Sequence, residues 1–77
     1  MNVNEYTTSD FPEAVMLRYF GHVLSFVDGS QKRAVFHFDL SFDTLEIIKQ
    51  YKKGELRVEP RAFYLCEREV KDRLYNG

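Results

Sequence analysis

Cysteine is nearly absent. Cys66 stands alone among 77 residues, so no disulfide can close within the chain, and such usage fits a reducing compartment. Long apolar runs are missing as well: none approaches the roughly 18 residues that a membrane-spanning helix needs. Met1-Asn2-Val3-Asn4-Glu5 has neither the positive start nor the apolar stretch of a secretory signal, so the cytoplasm is the expected location. Charge of one sign is not in excess either. Lys plus Arg number 11 against 12 Asp plus Glu, a net charge of -1, without the basic surplus of a phosphate-dominated nucleic-acid binder. There are no internal repeats, no low-complexity stretches and no Gly-rich phosphate loop.

What is present belongs to a folded chain. Hydrophobic residues make up 44% and charged residues 30%, outside the range of disordered segments. The length suits one small domain over 1–77, with an ordered core from about 8 to 75. Such a domain buries only about 60% of the surface its unfolded chain exposes. Seven Phe and five Tyr let it build a core from few, large side chains.

Thr8-Ser9-Asp10 opens a helix read from about Ser9 to Phe20; Asp10 with Glu13 fits a capping box, and Pro12 is tolerated in the first turn. Ala14, Leu17 and Gly21 follow at helical spacing, with Val15, Met16 and Phe20 widening the stripe. Gly21 suits the left-handed position that ends a helix. His22 to Val27 and Arg33 to Asp39 read as two strands around the Asp28-Gly29 turn. Leu24 and Phe26 should share a face with Phe36 and Phe38, so partner numbers total an even value. Pairing Phe26 with Ala34 and Leu24 with Phe36 meets that condition.

Ser41 is the expected N-cap of a second helix whose inner stripe is Leu45, Ile48 and Tyr51 or Lys52, with Ile47 flanking; Gly54 ends it. Glu55-Leu56-Arg57-Val58-Glu59 alternates like a short strand. Pro60 then begins a third helix with Phe63, Cys66, Val70 and Leu74 on one face. The class is α+β, in the order α-β-β-α-β-α: an antiparallel hairpin packed against helices, three-stranded if the last extended segment joins it.

Chemistry-bearing residues mostly have structural roles in this reading. Cys66 with His22 or His37 is the one nucleophile and base combination, but Cys66 falls on a core stripe. His37 and Asp39 share a strand face with no third ligand at zinc spacing, and His22 belongs to a turn. Asp10, Glu13, Asp43 and Glu46 sit where helix N-termini favour acids. No catalytic residue, metal site or cofactor is assigned, and the protein is read as non-enzymatic.

Two surfaces remain. The outer hairpin face carries Val23, Ser25, Val27, Val35 and His37, beside Arg33, and suits a protein partner or a second copy unless the chain's own third helix covers it. Lys32 and Arg33 at the hairpin turn, with Arg57, Arg61 and Tyr64, are the alternative, a basic and aromatic patch for nucleic acid. Against it, Glu67 with Lys71, Arg68 with Asp72 and Glu69 with Arg73 have the spacing of self-compensating helix pairs.

Thr8-Ser9-Asp10-Phe11 opening a helix, Gly21-His22 closing it, Phe36-His37-Phe38-Asp39, and the long run from Tyr51 to Phe63 with the late Lys71 and Leu74-Tyr75 are similar to a small family of unknown function. That family occurs in bacterial, archaeal, phage and mobile-element genomes. The resemblance spans about Thr8 to Tyr75. It carries no chemistry over, and it implies an accessory protein of a phage or plasmid.

Overall fold

The computed structural model describes residues 4–30 and 32–76. The elements run β1 (Glu5–Thr8), α1 (Phe11–Tyr19), β2 (Leu24–Asp28), β3 (Val35–Asp39), α2 (Thr44–Lys52) and α3 (Pro60–Asn76). The class is α+β, with a three-stranded antiparallel sheet in the order β1-β3-β2. Its third strand is not the expected one.

β1 is a four-residue strand at a place where no strand is expected. Glu5 faces Asp39, Tyr6 faces Phe38, Thr7 faces His37 and Thr8 faces Phe36. Tyr6 and Thr8 thus join the face of the two phenylalanines, and Glu5 and Thr7 the other. Glu55–Glu59, expected as a strand, does not join the sheet. It crosses α1 instead: the Glu59 N–H donates to the Tyr19 hydroxyl (3.0 Å), and Leu56 packs on the core. The Glu59 carboxylate then accepts the Ala62 N–H (2.8 Å), covering one of the orphan donors that open α3.

The hairpin forms with a different register. Leu24 faces Phe38, but Phe26 faces His37, Val27 faces Phe36 and Asp28 faces Val35, with a bulge between Leu24 and Phe26. The extra residue turns an even partner total into an odd one. Every side chain beyond it therefore changes face. Val27 rotates inward to pack on the core. Phe26 rotates outward and is 55% exposed.

The helices lie against the Phe36 and Phe38 face. The buried cluster comprises Ala14, Val15 and Leu17 of α1, Leu24, Phe36, Phe38, Ile47 and Ile48 of α2, and Val70 of α3. Phe63, Cys66 and Leu74 pack on its margin, so the inner stripe of α3 is as the spacing indicates. Asp10 accepts the Glu13 N–H (3.3 Å), while Asp10 N–H bonds Thr8 Oγ1 (3.0 Å). Only half of the capping box is made. Gly21 (φ 91) and Gly54 (φ 72) end α1 and α2 in the left-handed region, where a Cβ would be strained.

α2 differs in phase from its expected stripe. It begins at Thr44 after the N-cap Asp43, not Ser41. Thr44, Ile47 and Ile48 are buried, whereas Leu45 is 65% exposed. The helix is rotated because the Thr44 hydroxyl is held inside by two hydrogen bonds, from the Ser41 N–H and with His22 (both 2.8 Å).

The bulge has a direct thermodynamic signature. Leu24→Ala empties a core site and should cost about 2–5 kcal/mol in urea unfolding. Phe26→Ala, on the exposed side of the bulge, should cost less than about 1 kcal/mol. Equal losses at the two positions would refute the register.

Candidate functional site

The outer face of the sheet is made by residues that alternate away from the core. β1 contributes Glu5 and Thr7; β3 contributes Val35, His37 and Asp39; β2 contributes Phe26 and Asp28. Val23 precedes β2, its carbonyl accepts the Asp39 N–H (3.0 Å), and it is 58% exposed. The Phe26 ring lies against the His37 imidazole with centroids 5.3 Å apart. His37 Nδ1 meets Glu5 Oε2 at 3.0 Å. Ser25, at the bulge, donates its hydroxyl to the His37 carbonyl (3.1 Å). Asp28 accepts both the N–H (3.0 Å) and the hydroxyl (2.6 Å) of Ser30, bonds that hold its carboxyl below the usual range.

Of the residues expected on this face, Val23, Ser25, Val35 and His37 are there. Val27 is not; the bulge exchanges it for Phe26, expected inside. Glu5 and Thr7 join through β1. The signal that could have revealed them is the β-favouring run Tyr6-Thr7-Thr8 ahead of the helix cap. In the finished face His37 is the middle residue, between Thr7 and Phe26; Glu5, Asp39 and Val23 lie at one end, Val35 and Asp28 at the other. No Lys or Arg lies within its strands, and Arg33, two residues before Val35, is exposed beside it.

The expected basic patch is more dispersed. Lys32 is exposed at the hairpin turn. Arg33 donates to the Ser9 carbonyl (3.3 Å), and Arg57 to the Leu56 carbonyl (3.3 Å). Arg61 and Tyr64 are exposed one turn apart on α3. Among the described residues, no hydrogen bond or ion pair joins these groups to one another. The expected helix pairs form in part. Lys71 meets Glu67 at 3.6 Å, but Glu69 turns to Arg18 of α1 (2.9 Å), and Asp72 accepts from Asn76 (2.8 Å).

His22 is buried, not loosely held in a turn. Its Nε2 faces Thr44 Oγ1 at 2.8 Å, Ser41 Oγ at 3.1 Å and Asp43 Oδ1 at 3.6 Å. Thr44 Oγ1 already accepts the Ser41 N–H, and the Ser41 hydroxyl donates to Asp43 (2.8 Å). Among the described residues, Nδ1 is buried without a partner. A nucleophilic triad would place its carboxylate at that nitrogen; here all three groups lie on the other side. The cluster ties the α1–β2 turn to the start of α2. Cys66, half-buried, has no hydrogen bond to either histidine among the described residues.

A second polar cluster joins β1, α1 and α2. The Tyr6 hydroxyl donates to Glu13 Oε1 (3.0 Å), and Glu13 is buried. Tyr51 reaches Asp10 Oδ2 at 3.5 Å. Burial first, then the bond to Glu13, pushes the Tyr6 phenol up to about 12; burial and the Asp10 charge also raise Tyr51.

Residues 3–76 match the family model described as a domain of unknown function, DUF5659. The chain belongs to this family. The DUF5659 match takes in all six elements, from β1 through α3, so the open sheet face and both polar clusters lie within it. No curated protein and no solved structure matches the chain. The matched family has no chemistry to transfer, and the functional argument for this DUF5659 protein rests on its geometry.

The Tyr6 shift sets an alkaline limit. The folded state keeps the phenolic proton up to about 12, while an unfolded tyrosine loses it near 10. The resulting stability is fully present below pH ~10 and is lost as pH rises towards ~12. Tyr6→Phe should flatten that decline and, by stranding Glu13, cost about 1–3 kcal/mol at neutral pH. Urea titrations between pH 7 and 11.5 read both effects; an unchanged alkaline slope in the variant would contradict them.

Proposed function

We propose that this protein is a non-enzymatic binding module whose open sheet face docks a polypeptide. The observation that carries the reading is the exposure of Phe26 (55%) and Val23 (58%) on the face opposite the helices. Exposed aromatic and aliphatic side chains on a rigid sheet are the usual anchors of a protein interface. The helical layer supports the reading by holding the strands from behind, so the face needs little ordering when it binds. A phage or mobile-element accessory role in the cytoplasm belongs to the same proposal, supported by the family resemblance and the lone cysteine.

Phe26→Asp should abolish capture of a binding partner and leave the melting temperature within about 3 °C of the parent. Parallel pull-downs with parent and variant read the first, circular dichroism the second. Identical captured sets from the two proteins would sink the proposal.

Nucleic-acid contact is the second reading. One observation favours it: Arg61, Tyr64, Arg68 and Tyr75 are all exposed on α3 at spacings of three, four and seven. It requires anisotropy of a labelled single-stranded oligonucleotide to rise on binding at low salt, with affinity falling steeply as salt increases. No binding at 20 mM salt would remove it.

A further inference from the structure

The face of α3 turned away from the core has its own composition. Phe63, Cys66, Val70 and Leu74 point inward. Arg61, Tyr64, Leu65, Arg68, Lys71, Asp72 and Tyr75 recur at helical spacing on the opposite side, and all are exposed. Tyr64 is 52% exposed, Leu65 51% and Tyr75 76%. Arg61, Arg68 and Lys71 outnumber Asp72 on this stripe, with Lys71 held at its edge by Glu67 (3.6 Å). A shallow depression in the C-terminal half of α3 is lined by Arg68, Lys71, Asp72, Tyr75 and Asn76.

This stripe is the complement of the open sheet face. One carries Val23, Phe26 and Val35 around His37, with the carboxylates of Glu5, Asp28 and Asp39 towards its ends; the other has aromatic and aliphatic groups among Arg61, Arg68 and Lys71. The helix is also long enough to span the face. Three strands of about five residues present a face roughly 10 by 17 Å, and a 17-residue helix extends about 25 Å. A helix laid there would give the sheet a second helical layer and complete a helix–sheet–helix sandwich.

We propose that the occupant of the sheet face is α3 of a second copy of this chain, in a head-to-tail contact. The inference rests on the docking reading above and names its partner. A two-fold contact of sheet face against sheet face would press the Glu5, Asp28 and Asp39 carboxylates together. Stripe against stripe would do the same with Arg61, Arg68 and Lys71. Like-charge juxtaposition disfavours both. Sheet face against stripe pairs opposite charges, and it leaves one copy with a free stripe and the other with a free sheet face. Such a contact propagates, into a ring if the rotation closes and into an open filament if it does not. The small footprint lies well under a standard interface, so the contact is weak, with a dissociation constant on the order of 100 μM.

Sedimentation velocity of the full chain from 10 μM to 1 mM tests this. The parent protein should gain weight-average mass with concentration and pass beyond a dimer, and the gain should shrink several-fold between 50 and 300 mM NaCl. Phe26→Asp disables only the sheet face and Tyr64→Glu only the stripe; each alone should remain monomeric. An equimolar mixture should form a dimer and stop there, because each variant keeps one intact surface. Both positions are exposed, and unchanged circular dichroism confirms folding; Val23→Lys and Tyr75→Glu serve as a second pair.

A parent protein that is monomeric at 1 mM overturns the proposal, as does a parent assembly that saturates at two or a mixture that fails to associate. Assembly abolished by nuclease also overturns it, and assigns the stripe to nucleic acid. If the parent is monomeric while Phe26-dependent capture of another protein persists, the docking reading survives and only the self-contact falls.

Discussion

Phe36 and Phe38 occupy the middle strand of the sheet, two residues apart on one face, and both are almost wholly removed from water. Burying a phenylalanine is worth about 1.5–3 kcal/mol, a large share of the stability available to a 77-residue chain. Keeping these rings dry requires a strand on each side of β3 and a helical layer over it. β1 supplies Tyr6 and Thr8 beside them, β2 supplies Leu24 and Val27, and α1 lays Phe11 against Phe36 with ring centroids 6.1 Å apart. α2 and α3 then close the core through Ile47, Ile48 and Val70.

That arrangement has a consequence on the opposite side. Everything able to cover a sheet is committed to one face, so Phe26, Val23 and Val35 look outward without cover from the helices. The bulge at Ser25 completes the exchange by giving Val27 to the core and Phe26 to the surface. An aromatic ring placed outside by a local backbone irregularity is a device that re-aims a side chain. It is the most direct link between the fold of this DUF5659 protein and the binding role proposed for it.

Much of the architecture was legible in one dimension. Periodicities of 3.6 and 2 located α1, the β2–β3 pair and the inner stripe of α3, and Gly21 and Gly54 marked two helix ends by their need for positive φ. Three features were not legible, each for a physical reason. β1 is only four residues long, too short for alternation to speak, and it exists because β3 offers it a free edge. Leu56 and Val58 alternate like a strand, yet that segment packs across α1, since apolar residues at alternate positions serve any extended chain that touches a core. The phase of α2 is decided by Thr44, whose burial depends on the neighbouring Ser41 N–H and on the His22 imidazole, which is distant in sequence.

The candidate site follows the same division. Composition and spacing already placed Cys66 on a core stripe and the acids at helix N-termini, because those preferences are local. They also marked the hairpin as the element with a face to spare. Which side chains occupy that face was settled by the pairing of β3 with both neighbours, since a single inserted residue reverses every position beyond it. The carboxylates of that face, Glu5, Asp28 and Asp39, come from three strands. Charge and hydropathy are properties of residues and can be read along the chain. Adjacency across strands is a property of register, which only the folded backbone decides.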